Sequence, residues 1–93
     1  MANGKIYANQ DFELTLQTGV TLTGGAVLIK YILFDGTEGE KTAAISGTED
    51  VVYNFINTDI TVIGDATFWV KATISGKIYF GEPVTFRIYE EGN

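Results

Sequence analysis

Between residues 65 and 89 the side chains change character at almost every step, and this alternation leaves few folds open. Phe68, Val70, Ala72 and Ile74 alternate with Thr67, Trp69, Lys71 and Thr73. A period of two describes a strand with one buried face. Ser75, Gly76 and Lys77 follow, supplying a glycine where a short hairpin needs positive φ. A second strand then returns with Val84, Phe86 and Ile88 inward and Thr85, Arg87 and Tyr89 outward. Two strands alone are marginal in water, so the remaining chain has to cover this apolar face.

The rest of the sequence supplies more strands. Residues 5–7 read as a short opening strand, or as the start of one continuing to Leu16. Phe12, Leu14 and Leu16 alternate with Glu13, Thr15 and Gln17 as a second, half-buried one. Glycines punctuate a loop over residues 18–25, with Val20 or Leu22 tucked inward. The longest apolar run, AVLIKYILF over residues 26–34, has its phase fixed by Lys30. Val27, Ile29, Tyr31 and Leu33 face in, while Leu28, Lys30, Ile32 and Phe34 face out. Three apolar side chains on an outer face require a cover, whether a loop, a terminus or a partner. Residues 35–40, DGTEGE, read as a turn, residues 41–45 as a short strand and residues 46–50 as another turn. In residues 51–56 the inward face is either Val51, Tyr53 and Phe55 or Val52 and Ile56. Residues 57–65 are the one place for a helical turn, capped by Asn57 or Thr58. They are too short for a helix and read as a loop crossing between sheets, pinned by Ile60 and Ile63; Pro83 opens the last strand.

The expectation is one all-β domain over residues 1–93, an Ig-like antiparallel β-sandwich of about seven short strands, with a small closed barrel as the alternative. A hydrophobic content of 45% with 19% charged residues describes a folded globule. Residues 1–4 are polar and short, and are expected to be neither leader nor targeting segment. No run approaches the length of a membrane-spanning helix.

Twelve acidic residues against six basic ones give a net charge of −6, which opposes binding to nucleic acid or to an anionic membrane surface. The chain has no cysteine for a disulfide and no histidine, the commonest general base and metal ligand. Asp35, Glu38 and Glu40, with Glu49 and Asp50, have the oxygen chemistry of a calcium site. However, DGTEGE does not fit the calcium-loop spacing, and acids at a hairpin tip are ordinarily solvated. Ser46 and Ser75 lie in glycine-containing turns and have no histidine to activate them. No phosphate-cradling glycine motif is present. The expected catalytic, cofactor-binding and metal residues are therefore none.

The sharpest feature is aromatic. Trp69, Tyr79, Phe80 and Tyr89 lie beside Lys71 and Arg87. Such a set can anchor a protein interface, stack a sugar, or simply pair across strands within the sheet. The candidate interface residues are Leu28, Ile32, Phe34, Trp69, Tyr79, Arg87 and Tyr89.

Four segments also resemble a known family. TGVTLTG at residues 18–24, FDGTEGE at residues 34–40, DATFWVKA at residues 65–72 and GEPVTFRIYE at residues 81–90 are similar to segments of small Ig-like structural proteins of tailed bacteriophages. In those proteins a TGVDLTGAT loop, a PDGTxGEW turn, a DIDxAGTWxxxAYV strand and a closing GETVTFxVYE occur in the same order. Phe34 stands where the family often has proline, and Phe68 where it often has threonine before the tryptophan. Such domains occur in baseplate upper proteins, fibres and head-decorating proteins. The resemblance implies a non-enzymatic virion protein, located in the virion, that binds other phage structural subunits or copies of itself and needs no cofactor. The alternative is a carbohydrate-binding module for host-surface adhesion, with Trp69, Tyr79 and Tyr89 as its stacking platform.

Overall fold

A computed structural model describes residues 6–92. Among them the chain is all-β, with nine strands rather than about seven. They are β1 Ile6–Tyr7, β2 Phe12–Gln17, β3 Ala26–Ile32, β4 Glu38–Thr42, β5 Ala44–Ser46, β6 Asp50–Phe55, β7 Gly64–Ile74, β8 Lys77–Phe80 and β9 Val84–Tyr89. Lys5, expected in the first strand, lies outside the described residues. The larger sheet runs β1-β9-β7-β3-β4, with β8 also on β7, and the smaller runs β2-β6-β5. All pairings are antiparallel except β1 with β9, which is parallel and departs from the purely antiparallel expectation.

The two sheets face each other across a sandwich-like core. Val27, Ile29, Tyr31, Leu33, Phe68, Val70, Ala72 and Ile88 come from the large-sheet side and Leu14, Leu16, Val51 and Phe55 from the small sheet. Phe55 is the hinge of this packing. Its ring centroid lies 4.9 Å from Phe12, 5.9 Å from Tyr31 and 5.8 Å from Phe68. Edge-on and offset ring pairs of this kind add to simple area burial. Val51 and Phe55 are buried, with Tyr53 packed against them, which settles the phase of β6.

Three local differences from the alternation have clear causes. The turn after β3 is shorter than residues 35–40. The Leu33 N–H donates to the Thr37 carbonyl at 2.8 Å, and Glu38 already pairs with Ile32. Gly39 continues the strand by pairing with Tyr31, whose ring occupies the space where a Cβ would stand. The stretch expected as one strand over residues 41–45 is split at Ala43, whose N–H donates to the Val27 carbonyl at 3.1 Å. There the chain leaves the large sheet and joins the small one. In the crossing loop Ile60 is buried as expected, but Ile63 is 48% exposed, and it is Val62 that packs on the core.

The closing hairpin has one long strand and a broken return. Ser75 and Gly76 both have positive φ, 52° and 79°, so the loop is a two-residue turn of type I′. The return is interrupted where Lys71 pairs with Phe80 but Phe68 pairs with Val84. Two residues of β7, Trp69 and Val70, thus face Gly81, Glu82 and Pro83, which is a β-bulge. The Gly81 N–H still reaches the Val70 carbonyl at 2.9 Å. Leu22, not Val20, is the residue of the 18–25 loop that enters the core.

Candidate functional site

The outer face of the large sheet can be assembled from the registers alone, because cross-strand partners point to the same side. One row carries Thr42, Leu28, Lys71 and Phe80. The next carries Glu40, Lys30 and Trp69, and a third carries Glu38, Ile32, Thr67 and Thr85. Ile78 stands beside Thr73 at the hairpin end. Leu28 and Trp69 are half-buried by their neighbours, whereas Ile32, Ile78 and Phe80 are 38%, 56% and 65% exposed. Lys71 sits half-buried between Leu28 and Phe80 and, among the described residues, makes no ion pair. Lys30 approaches Glu40 at 3.9 Å, but both side chains are solvated, so the pair contributes little.

Of the seven candidate residues, Leu28, Ile32 and Trp69 are brought together here. Arg87 and Tyr89 lie on the same face but towards its far end. Trp69 is about six residues along from the level of Tyr89, roughly 20 Å at the rise of a strand. At that end Arg87 lies 6.0 Å from the centre of the Tyr89 ring, and Tyr89 packs 6.3 Å from Tyr7. Arg87 also approaches Asp65 at 3.7 Å, with both side chains largely exposed. Phe34, 69% exposed, stands just past the end of β3 against Gly64, where a Cβ would overlap its ring.

Tyr79 goes elsewhere. It pairs with Ala72 and therefore points to the core side of the sheet. There it lines a small apolar cleft of about 100 Å³ with Thr18, Val20, Val70 and Ala72. Trp69, Tyr79 and Tyr89 consequently do not form a single stacking platform. One points to the opposite side and the other two are far apart.

The acidic cluster is dispersed in the same way. Asp35 closes its own turn, its Oδ1 accepting the Thr37 N–H at 2.9 Å, and bonding to the Thr37 hydroxyl first and to this N–H second holds its carboxyl below the usual carboxylate range. Glu38 and Glu40 continue along β4 beside Ile32 and Lys30. Among the described residues no three acidic side chains converge in metal-binding geometry.

Ile78 is a member of the apolar face that the alternation alone did not single out. Its position follows once the turn is counted as two residues, because Ile78 then pairs with the outward Thr73. No family model matches the chain, no curated protein matches it in sequence and no solved structure matches it in fold.

Proposed function

We propose that the chain is a non-enzymatic structural or adaptor protein of a tailed-phage virion, which docks through the outer face of its large sheet onto other virion subunits or copies of itself. The observation that carries the reading is the apolar group Leu28, Trp69, Ile78 and Phe80 around Lys71, with Ile32 beyond Trp69 on the same face. None of these side chains belongs to the buried core, and exposed clusters of aromatic and aliphatic residues are what interfaces bury. Covering Ile78 and Phe80 would contribute about 1–2 kcal/mol each at the usual value for apolar burial. The all-β, sandwich-like fold supports the reading. The order β4-β3-β7-β9 facing β2-β6-β5 is compatible with the Ig-type order of central strands, although β1 and β8 join the larger sheet and the smaller has three strands where the Ig type has four. The four segments similar to phage Ig-like proteins supply the virion half.

The test is copurification with particles. In cells producing the phage that encodes it, the tagged chain should band with assembled particles on a density gradient at a constant copy ratio. Phe80→Asp, folded as judged by its melt, should be lost from that band. A chain absent from purified particles overturns the proposal.

A further inference from the structure

We infer that β8 is a pairing edge for a second copy of the chain, and that two copies join their large sheets through antiparallel β8 strands about a two-fold axis. This deepens the docking role proposed above by naming one partner.

The free edge follows from the hairpin. In a two-residue turn the flanking residues, here Ile74 and Lys77, exchange both hydrogen bonds, and bonded pairs then alternate along the ladder. Ala72 with Tyr79 is the next bonded pair, and the Gly81 N–H to Val70 carbonyl bond keeps the same alternation. The N–H and C=O groups of Ile78 and Phe80 therefore point away from β7. Among the described residues no strand meets them, since β8 pairs with β7 alone.

The other edges are guarded in the ways that normally prevent sheet-to-sheet association. β4 carries Glu38, Glu40 and Lys41, and β2 carries Glu13. β5 is three residues long; among the described residues β1 covers β9 at Ile88 and Tyr89, and the stretch of β9 before them carries Arg87. β8 has a lysine only at its first position, followed by exposed Ile78, Tyr79 and Phe80.

Parity then selects the register. For the outer faces to stay on one side across the two-fold axis, Ile78 and Phe80 must meet residues of their own face. Placing Ile78 opposite Phe80 of the second copy, twice by symmetry, uses all four outward N–H and C=O groups of each strand. It sets the two Tyr79 residues against each other in a non-bonded pair. It also puts Lys77 opposite Gly81 of the second copy, one residue from its Glu82. That complementarity matters for chains whose net charge of −6 opposes most other approaches. Two shifted registers, Ile78 on Ile78 or Phe80 on Phe80, keep the faces aligned but satisfy fewer of these groups. An interface this narrow belongs to the small, transient class.

Sedimentation velocity tests the pairing from about 5 to about 500 µM, the range suited to a weak interface. The mean mass should climb from 10.1 kDa towards twice that value, and Ile78→Lys, with an unchanged melt, should stay monomeric. The register has its own readout. A non-bonded antiparallel pair brings its Cα atoms to about 4.5 Å, within disulfide reach. In a chain without cysteines, Tyr79→Cys should therefore oxidise to a covalent dimer about tenfold faster than Ile78→Cys, whose thiols are held out of reach in this register. A wild-type chain that stays monomeric to the highest concentration overturns the inference. So does a dimer that Ile78→Lys leaves intact, or faster cross-linking at position 78 than at 79. Particle association is measured separately, so it can stand when self-pairing fails, and the reverse.

Discussion

Lys41 Nζ lies 2.9 Å from Asp59 Oδ1 and ties the end of β4 to the loop between β6 and β7. The aspartate is nearly buried and also accepts the Ile56 N–H through Oδ2 at 2.9 Å. Desolvation pushes the Asp59 carboxyl up, but the Ile56 N–H and Lys41 outweigh it, and its pKa falls below the ordinary 3.8. Lys41 is raised above 10.5, chiefly by the bond to Asp59. A lowered acid contributes stability above its unfolded pKa and loses it as pH falls through the folded one. The pair should therefore weaken as pH drops below about 4. A raised lysine contributes below its unfolded pKa, so that share is lost as pH rises beyond about 10.5. Asp59→Ala removes an ion-pair partner and a backbone cap together and should cost about 1–3 kcal/mol. Asp59→Asn, able to keep the cap, should cost less and flatten the acid limb. Urea titrations from pH 3 to pH 7 would measure both; equal losses in the two variants would exclude the cap from the account.

Gly39 and Tyr31 form a second coupled pair, through packing. They pair directly across β3 and β4, and the tyrosine ring lies where any Cβ at position 39 would stand. Gly39→Ala should destabilise the fold by about 1–3 kcal/mol, the range for overpacking a filled site. Tyr31→Leu alone should also destabilise, because a buried aromatic in contact with Phe55 and Phe68 is lost. The double variant should lose less than the two single losses added together, since the alanine then has room. Additive losses in a denaturation cycle would count against the overlap as the cause.

Most of the core was legible in the sequence because alternation is a strong signal wherever one face is buried. Val27, Ile29, Tyr31 and Leu33 are all inside, as are Phe68, Val70, Ala72 and Ile88. What alternation does not carry is a change of sheet. Ala43 marks such a change with neither glycine nor proline, because the cause is a long-range partner, the Val27 carbonyl. The face of Tyr79 was within reach of the sequence. A two-residue turn sets Tyr79 beside the inward Ala72, yet the inward Val84 lies at the opposite parity. Both can hold only if one residue is extra between them, and the bulge over Gly81, Glu82 and Pro83 is that residue. The apolar outer face was half legible, since Leu28 and Ile32 break their own alternation, whereas Ile78 sits in a strand too short to show one.

If the outer face serves partners and not the fold, its residues should be removable. Phe80→Asp and Ile78→Lys replace side chains that are more than half exposed and should change stability by no more than about 0.5 kcal/mol, as surface substitutions do. Phe68→Ala, on the same sheet but fully buried, should cost about 3–5 kcal/mol. Thermal melts of the three variants would check this. A large loss in either surface variant would mean that the patch supports the sandwich itself.

The hairpin turn gives the last test, and it separates backbone preference from side-chain contact. Ser75 holds φ at 52°, a region that costs an ordinary L-residue energy and that asparagine tolerates better. The type I′ turn asks for asparagine followed by glycine, and the sequence offers serine followed by glycine. Ser75→Asn should therefore stabilise the domain by about 0.4–1 kcal/mol, without gaining any tertiary contact. Gly76→Ala should destabilise it, because φ of 79° excludes a Cβ for local steric reasons, although nothing else lies within 4 Å of that Cβ. Its cost should exceed about 1 kcal/mol, since the native conformation is incompatible with alanine. Melts moving in opposite directions for these neighbouring substitutions would tie the anchor of the fold to two backbone angles; a neutral Gly76→Ala would remove the type I′ turn as the device that sets the register of β8.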